Sequence, residues 1–289
     1  MTRVLTGDRP TGKLHLGHLV GSLQNRIVMQ DQGKQFIIIA DMQAMTDHMK
    51  KIDTSFSLQE NIFQVVCDYL AVGIDPSKST IFIQSMIKEL SHLALLFANI
   101  VTVARLSRNP TVKNEIRQKG MEQSLPVGFF IYPISQAADI LLFKPTHIPV
   151  GEDQIPMIEQ TNEIARSFNQ LYNVDFFHDV QAMIPDHGRL MGIDGKEKMS
   201  KSLGNAIFLS DSKEQIIAAV NKMYTDSDHI RVSDPGKVEG NVVFAYLDVF
   251  DPLKEEVAQL KQAYQKGGLG DMVLKKRLIA ILESIIGPI

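Results

Sequence analysis

The alternation of apolar and polar positions divides most of the chain into short strands and helices that follow one another in turn. Val4-Leu5-Thr6 reads as a brief buried strand, closed by the turn-forming run Gly7-Asp8-Arg9-Pro10-Thr11-Gly12. That run feeds a helix carrying His15, Gly17, His18, Gly21 and Ser22. Phe36-Ile37-Ile38-Ile39-Ala40 is apolar without interruption, as expected of a central parallel strand covered on both faces. Ser57-x-x-Glu60 has the spacing of a capping box and predicts a helix to about Val72, with Gly73 closing it. Ile81-Phe82-Ile83 and His147-Ile148-Pro149-Val150 predict further short strands, each entering a polar turn. Strands alternating with helices imply an α/β fold, a doubly wound Rossmann-like parallel sheet. Ligands of such sheets bind beyond the carboxyl ends of the strands, where residues 7–12, Asp41 and residues 151–154 fall.

After about residue 208 the texture becomes helical. Ile216-Ile217-x-x-Val220-x-x-Met223 has helical spacing, and residues 242–250, 253–264 and 272–286 predict three more helices. Asp234-Pro235-Gly236, Asp251-Pro252 and Gly267-Gly268 punctuate them. The expected organisation is a larger domain over 1–208 and a smaller helical domain over 209–289.

Composition adds exclusions rather than a function. With 44% hydrophobic and 22% charged residues among 289, the chain matches an ordinary globular protein. No apolar run is long enough to span a bilayer, and strand-like sequence begins at once, so no membrane and no signal peptide are expected. The single cysteine, Cys67, lies in an apolar pattern and reads as a small core residue; the cytoplasm is the expected compartment. A net charge of −3 argues against nonspecific coating of nucleic acid. Arg105, Arg108, Lys113, Arg117 and Lys119 form the best local basic stretch, readable as an RNA contact or as a solvated helix surface.

Two short stretches carry the chemistry. His15-Leu16-Gly17-His18 places two imidazoles three apart at a helix start, on one face, where they can donate to phosphate oxygens. Gly17 between them lets a nucleotide approach the backbone. A metal-ligand reading of the histidines lacks a third ligand nearby in sequence. Lys198-Met199-Ser200-Lys201-Ser202 supplies two ammonium groups and two hydroxyls within five residues, flanked by Gly192, Gly195 and Gly204 as a mobile loop. A basic loop able to close over a triphosphate suits adenylation, in which a carboxylate attacks the α-phosphate of ATP and pyrophosphate leaves.

With those residues quoted, the chain resembles the tryptophanyl-tRNA synthetases, a class I family, over nearly its whole length. Tyr132-Pro133-x-x-Gln136-Ala137-Ala138-Asp139 is similar to the family's side-chain specificity helix, and Gly151-Glu152-Asp153-Gln154 to its ribose and ammonium segment. The resemblance implies His15, His18, Lys198 and Lys201 as catalytic residues. It implies ATP contacts from Arg9, Pro10, Thr11, Gly17, Gly151, Glu152, Asp153, Leu190, Met199, Ser200 and Ser202. It implies a tryptophan pocket of Gly7, Gln43, Tyr132, Gln136, Asp139 and Gln154, with Asp139 accepting the indole N–H and Tyr132 and Gln154 holding the α-amino group. It further implies a catalytic domain over 1–208 and a tRNA-binding domain over 209–289, whose truncation at the C-terminus is left open. It implies ATP with Mg²⁺ carried by the nucleotide, L-tryptophan and tRNA(Trp) as partners, a homodimer, and no protein-bound metal. The apolar residues 93–103 could supply the dimer interface or form a core helix.

A carboxylate inside Ala137-Ala138-Asp139-Ile140-Leu141-Leu142 is costly without a partner, and a donor-only indole N–H is a suitable one. Such a pocket rejects a ring lacking the donor by about 10⁴-fold. Two positions depart from the family: Gln43 stands where many members carry His, and Gln136 where many carry Met, which bears on sensitivity to tryptophan-like inhibitors. Gln136 is also how the sister tyrosyl enzymes read, so a tyrosyl-tRNA synthetase stays open at this point. A cofactor-making nucleotidyltransferase sharing the His-x-Gly-His site, and a non-catalytic synthetase-derived binding protein, are the readings from other classes.

Overall fold

The computed structural model describes residues 2–48, 57–184, 190–201 and 203–289. Its centre is a five-stranded sheet of β1 (Arg3–Asp8), β2 (Lys34–Ile39), β3 (Ser79–Ile83), β4 (His147–Pro149) and β5 (Gln181–Met183), in the order β3-β2-β1-β4-β5. Every pairing is parallel. The chain builds outward from β1 through β2 to β3, then returns to lay β4 and β5 on the other side. The order therefore reverses between β1 and β4, the place where open α/β sheets bind their ligands.

The uninterrupted apolar run became β2, with Phe36–Ile39 all buried. β1 continues two residues past the expected Thr6: Gly7 pairs with Ile38 and Asp8 with Ile39, and the Ala40 N–H donates to the Asp8 carbonyl at 3.0 Å. Gly7 permits this, because a Cβ there would stand 2.1 Å from the Ile38 carbonyl oxygen. β5 was not anticipated; Gln181-Ala182-Met183 is short, mostly exposed and carries no run of branched residues. Apolar side chains from strands and helices meet in one cluster around the sheet, among them Leu5, Phe36, Phe97, Ile134, Ala138, Ile148, Ile158 and Phe177.

The helix Leu58–Ala71 starts where the cap predicts, the Ser57 hydroxyl accepting from the Glu60 N–H at 3.2 Å, and ends before Gly73 at φ +101°. Cys67, expected in the core, is half-buried on this helix. In the helix Lys88–Ala98, Leu90 and Phe97 are buried while Leu95 (70% exposed) and Leu96 (50%) face outward. The basic stretch forms two helices, Val103–Arg108 and Pro110–Gln118, joined by the capping side chain of buried Asn109. Arg105 is ion-paired with Glu163.

The chain forms two compact units: Met1–Gly12 with Asn25–Asp186, and Lys13–Gln24 with His187–Ile289. This partition differs from the expected one at 208/209. The cause is local hydrogen bonding: the Leu16 N–H donates to the Ile207 carbonyl and the Leu209 N–H to the Leu14 carbonyl, each at 2.9 Å, with His15 bridged to Phe208. The second unit carries the helices Lys213–Asn221, Val242–Phe250, Lys254–Lys266 and Asp271–Ile286, all within three residues of their expected places. Among the described residues no helix is long and apolar enough to cross a membrane.

Candidate active site

Both sequence signatures belong to the second unit, where they touch. His15 caps the N-terminus of a helical stretch that begins at Leu16–His18 and passes through a π turn, Leu19–Leu23. The His15 backbone N–H donates to His18 Nδ1 at 3.2 Å, so neutral His18 carries its proton on Nε2, the nitrogen left to donate. The two rings lie 3.9 Å apart. Gly17 was expected to admit the nucleotide; within the protein its bareness makes room for His15, whose ring atoms would stand 2.9 Å from an added Cβ.

Met199 links the signatures. Its side chain is buried, and the Gly17 N–H points at its sulfur, 3.3 Å away. The sulfur packs against protein, which makes Met199 a support under the loop. Lys198 is exposed and Lys201 half-buried on the same loop; Ser202 lies outside the described residues. The loop is braced more than its glycines suggest. Met191 and Lys198 form an antiparallel bridge, and the Met199 N–H donates to the Leu190 carbonyl at 3.1 Å. Buried Asn205 accepts from the Ser200 N–H at 2.8 Å and donates to Asp194 at 3.2 Å. Burial works against the Asp194 carboxylate, but donors from the Lys196 backbone and from Asn205 outweigh it and hold its pKa below the usual range. Fully buried Tyr246 donates to the Met191 carbonyl at 2.7 Å, fixing the backbone expected to meet adenine.

The remaining expected residues lie in the first unit. Arg9 is exposed, Pro10 buried and Thr11 half-buried in the turn after β1, which closes at Gly12 with φ +110°. Behind the turn, Asp8 accepts from buried Arg26 and from the Tyr69 hydroxyl, both at 2.7 Å. Residues 151–154 follow β4, with Glu152–Gln154 forming a single 3₁₀ turn. There Gln154 donates to the Asp153 carboxylate at 3.0 Å, while Gly151, Glu152 and Asp153 are exposed.

Tyr132, Gln136 and Asp139 occupy one face of the helix Val127–Leu142, at spacings of four and three. Tyr132 is buried beside Phe129, Gln136 half-buried, and Asp139 only 6% exposed. The Gln84 amide donates to both Asp139 oxygens, at 2.9 and 2.8 Å. Gln84 in turn accepts from the backbone N–H of Gln43 at 3.2 Å, which links that N–H to Asp139 through the Gln84 amide. Burial pushes the Asp139 carboxyl up to about 7; the Gln84 donor opposes this and the charge of Asp41 adds to it.

Gln84, Asn205, Asp194 and Tyr246 were not singled out from the sequence. Gln84 had a signal, a polar residue directly after the apolar strand Ile81-Phe82-Ile83 and hence at a strand's carboxyl end. Among the described residues no group of three His, Cys, Asp or Glu side chains is placed to hold a metal ion.

Comparison with known proteins identifies the family. A family model described as class I tRNA synthetases (W and Y) matches residues 1–287. The tryptophan--tRNA ligase of Streptococcus pneumoniae serotype 4 is 56% identical over 99% of this chain and 85% of its own length. The Lactococcus lactis tryptophan--tRNA ligase is 54% identical with the same coverage. The crystal structure of tryptophanyl-tRNA synthetase from Campylobacter jejuni, complexed with ADP and tryptophan, superposes with a TM-score of 0.85 at 30% identity, over 99% of this chain and 86% of that one. The chain belongs to the class I tRNA synthetases of the tryptophan and tyrosine branch.

Proposed function

We propose that the chain joins L-tryptophan to tRNA(Trp) at the expense of ATP, first as tryptophanyl-adenylate and then by transfer to the terminal ribose. The observation that carries the tryptophan assignment within the branch is the 56% identity to a tryptophan--tRNA ligase over 99% of the chain. The buried Asp139 carboxylate, held by Gln84, suits an indole N–H but would accept a phenol O–H as well. An indole N–H supplies a further donor to lone pairs of this carboxylate that the Gln84 amide leaves open. Tyr132 and Gln154 take the α-amino group, with Gln136 and Gln43 completing the pocket beside Gly7. Arg9, Pro10, Thr11 and residues 151–153 serve the nucleotide, and Leu190 backbone the adenine.

His15 and His18 meet phosphate oxygens, and Lys198 and Lys201 stabilise the charge that gathers on the leaving pyrophosphate. Ser200 and Ser202 add hydroxyl donors. Mg²⁺ arrives on the nucleotide and shares that charge. The helices after residue 209 take part in tRNA binding, and two copies pair through the outward Leu95 and Leu96 surface. The single half-buried cysteine suits a cytoplasmic setting.

The deciding experiment is amino-acid-dependent ATP–pyrophosphate exchange with each of the twenty amino acids in turn. Exchange with tryptophan alone is the expected result. Exchange with tyrosine would move the chain to the sister specificity, and silence with all twenty would end the catalytic reading.

A further inference from the structure

Gln84 is the first residue after β3 and is only 3% exposed. Its amide sits in a chain of hydrogen bonds whose direction is fixed at one end. The Gln43 backbone N–H can only donate, so the oxygen of the Gln84 amide must be the atom facing it, at 3.2 Å. The amide nitrogen is thereby turned to Asp139, where it lies 2.9 and 2.8 Å from the two oxygens. Both Asp139 oxygens already receive a donor, and a carboxyl held this way offers its remaining lone pairs. Without the amide, the same carboxyl in its apolar wall would be free to take a proton and present an O–H.

We propose that Gln84 is a positioning and specificity-determining residue: it passes the polarity of the Gln43 backbone N–H to Asp139, so that the pocket presents an acceptor and selects rings bearing an N–H. This rests on the reading of Asp139 as the indole acceptor. Gln84 acts through Asp139 and touches no reacting atom, so its role lies in discrimination between side chains. The adenylation chemistry itself does not depend on it.

The test compares tryptophan with β-(3-benzothienyl)alanine, which has sulfur where indole has N–H, in pyrophosphate exchange on the intact chain. The quantity read is the ratio of kcat/KM for the two amino acids, taken on one preparation so that any loss of active protein cancels. Gln84→Met keeps the length of the side chain and removes the donor. Its ratio falls about ten- to a hundredfold, the value of a hydrogen bond to a charged group, with most of the loss on tryptophan. Gln84→Leu, which also lacks any donor, lowers the ratio as well and serves if the methionine variant does not fold. Equal losses on both amino acids, leaving the ratio unchanged, would mean that Gln84 only supports the fold and would overturn the proposal. Asp139→Ala, which removes every side-chain acceptor at that position, is the control for the reading beneath it. If that variant keeps the parent ratio, Asp139 is not the acceptor; if it loses the ratio while both Gln84 variants keep it, only the role of Gln84 fails.

Discussion

The role proposed for Asp139 would tie ligand binding to pH through one residue. Its carboxyl titrates near 7 when folded, against an ordinary value of 3.8, because burial outweighs the Gln84 donor. The folded state therefore holds a proton that the unfolded chain releases. The stability this group contributes is full below pH about 4 and is lost as pH rises through 7. A tryptophan N–H favours the ionised form, so the rise in Tm given by saturating tryptophan is expected to grow between pH 6 and 8. Differential scanning fluorimetry across that range measures it, and a flat response would mean that the ring does not meet this carboxylate. The chain has no tryptophan of its own, so the bound ligand is the only indole fluorophore and its emission gives an independent titration. Asp139 was legible in the sequence because charge inside an apolar run demands a partner. Gln84 was harder to see, because the bond joining it to Asp139 spans 55 positions and sequence spacing has no access to it.

At the level of elements, local rules governed what could be read. The Ser57 cap, the apolar run of β2 and the helix Val242–Phe250 all rest on neighbours within one or two turns, and each formed where expected. β5 exists because β4 offers it an edge, and its own three residues carry little propensity. The end of β1 likewise depends on β2. Gly7 looked like the first residue of a turn, yet it is a strand residue pressed against Ile38. Gly7→Ala would place a methyl 2.1 Å from a backbone oxygen that cannot move without parting β1 from β2. We expect a loss of about 3 kcal/mol, read as a lowered urea midpoint with unchanged m. A midpoint equal to the parent's would show that the two strands tolerate a wider spacing.

For the whole molecule, the sequence pointed to two parts but not to their membership. Texture changes near residue 208, and nothing in residues 13–24 advertises that they pack with the later part of the chain. Their bonds to residues 207 and 209 are backbone to backbone, so they leave no trace in side-chain pattern. Surface composition speaks more openly about assembly. Leu95 and Leu96, with Val103 at 69% exposed, leave apolar side chains in water, which a second copy would cover. Leu95→Glu is expected to shift the protein from dimer to monomer in sedimentation equilibrium while the fold, which rests on the buried Leu90 and Phe97 of the same helix, is kept. A parent protein that sediments as a monomer would remove the pairing altogether.

The bonds from residues 14–16 to residues 207–209 also set an order of events during synthesis. The ribosome makes the His15–His18 turn almost first, but its partners Met199, Ile207 and Leu209 emerge only after every strand of the sheet has been made. A nascent chain can therefore shape the Asp139 pocket while its two nucleotide signatures are still apart. On the proposed roles of His15, His18, Lys198 and Lys201, adenylation waits until residue 209 has been added, and unfinished copies do not turn over a nucleotide they have no means of using.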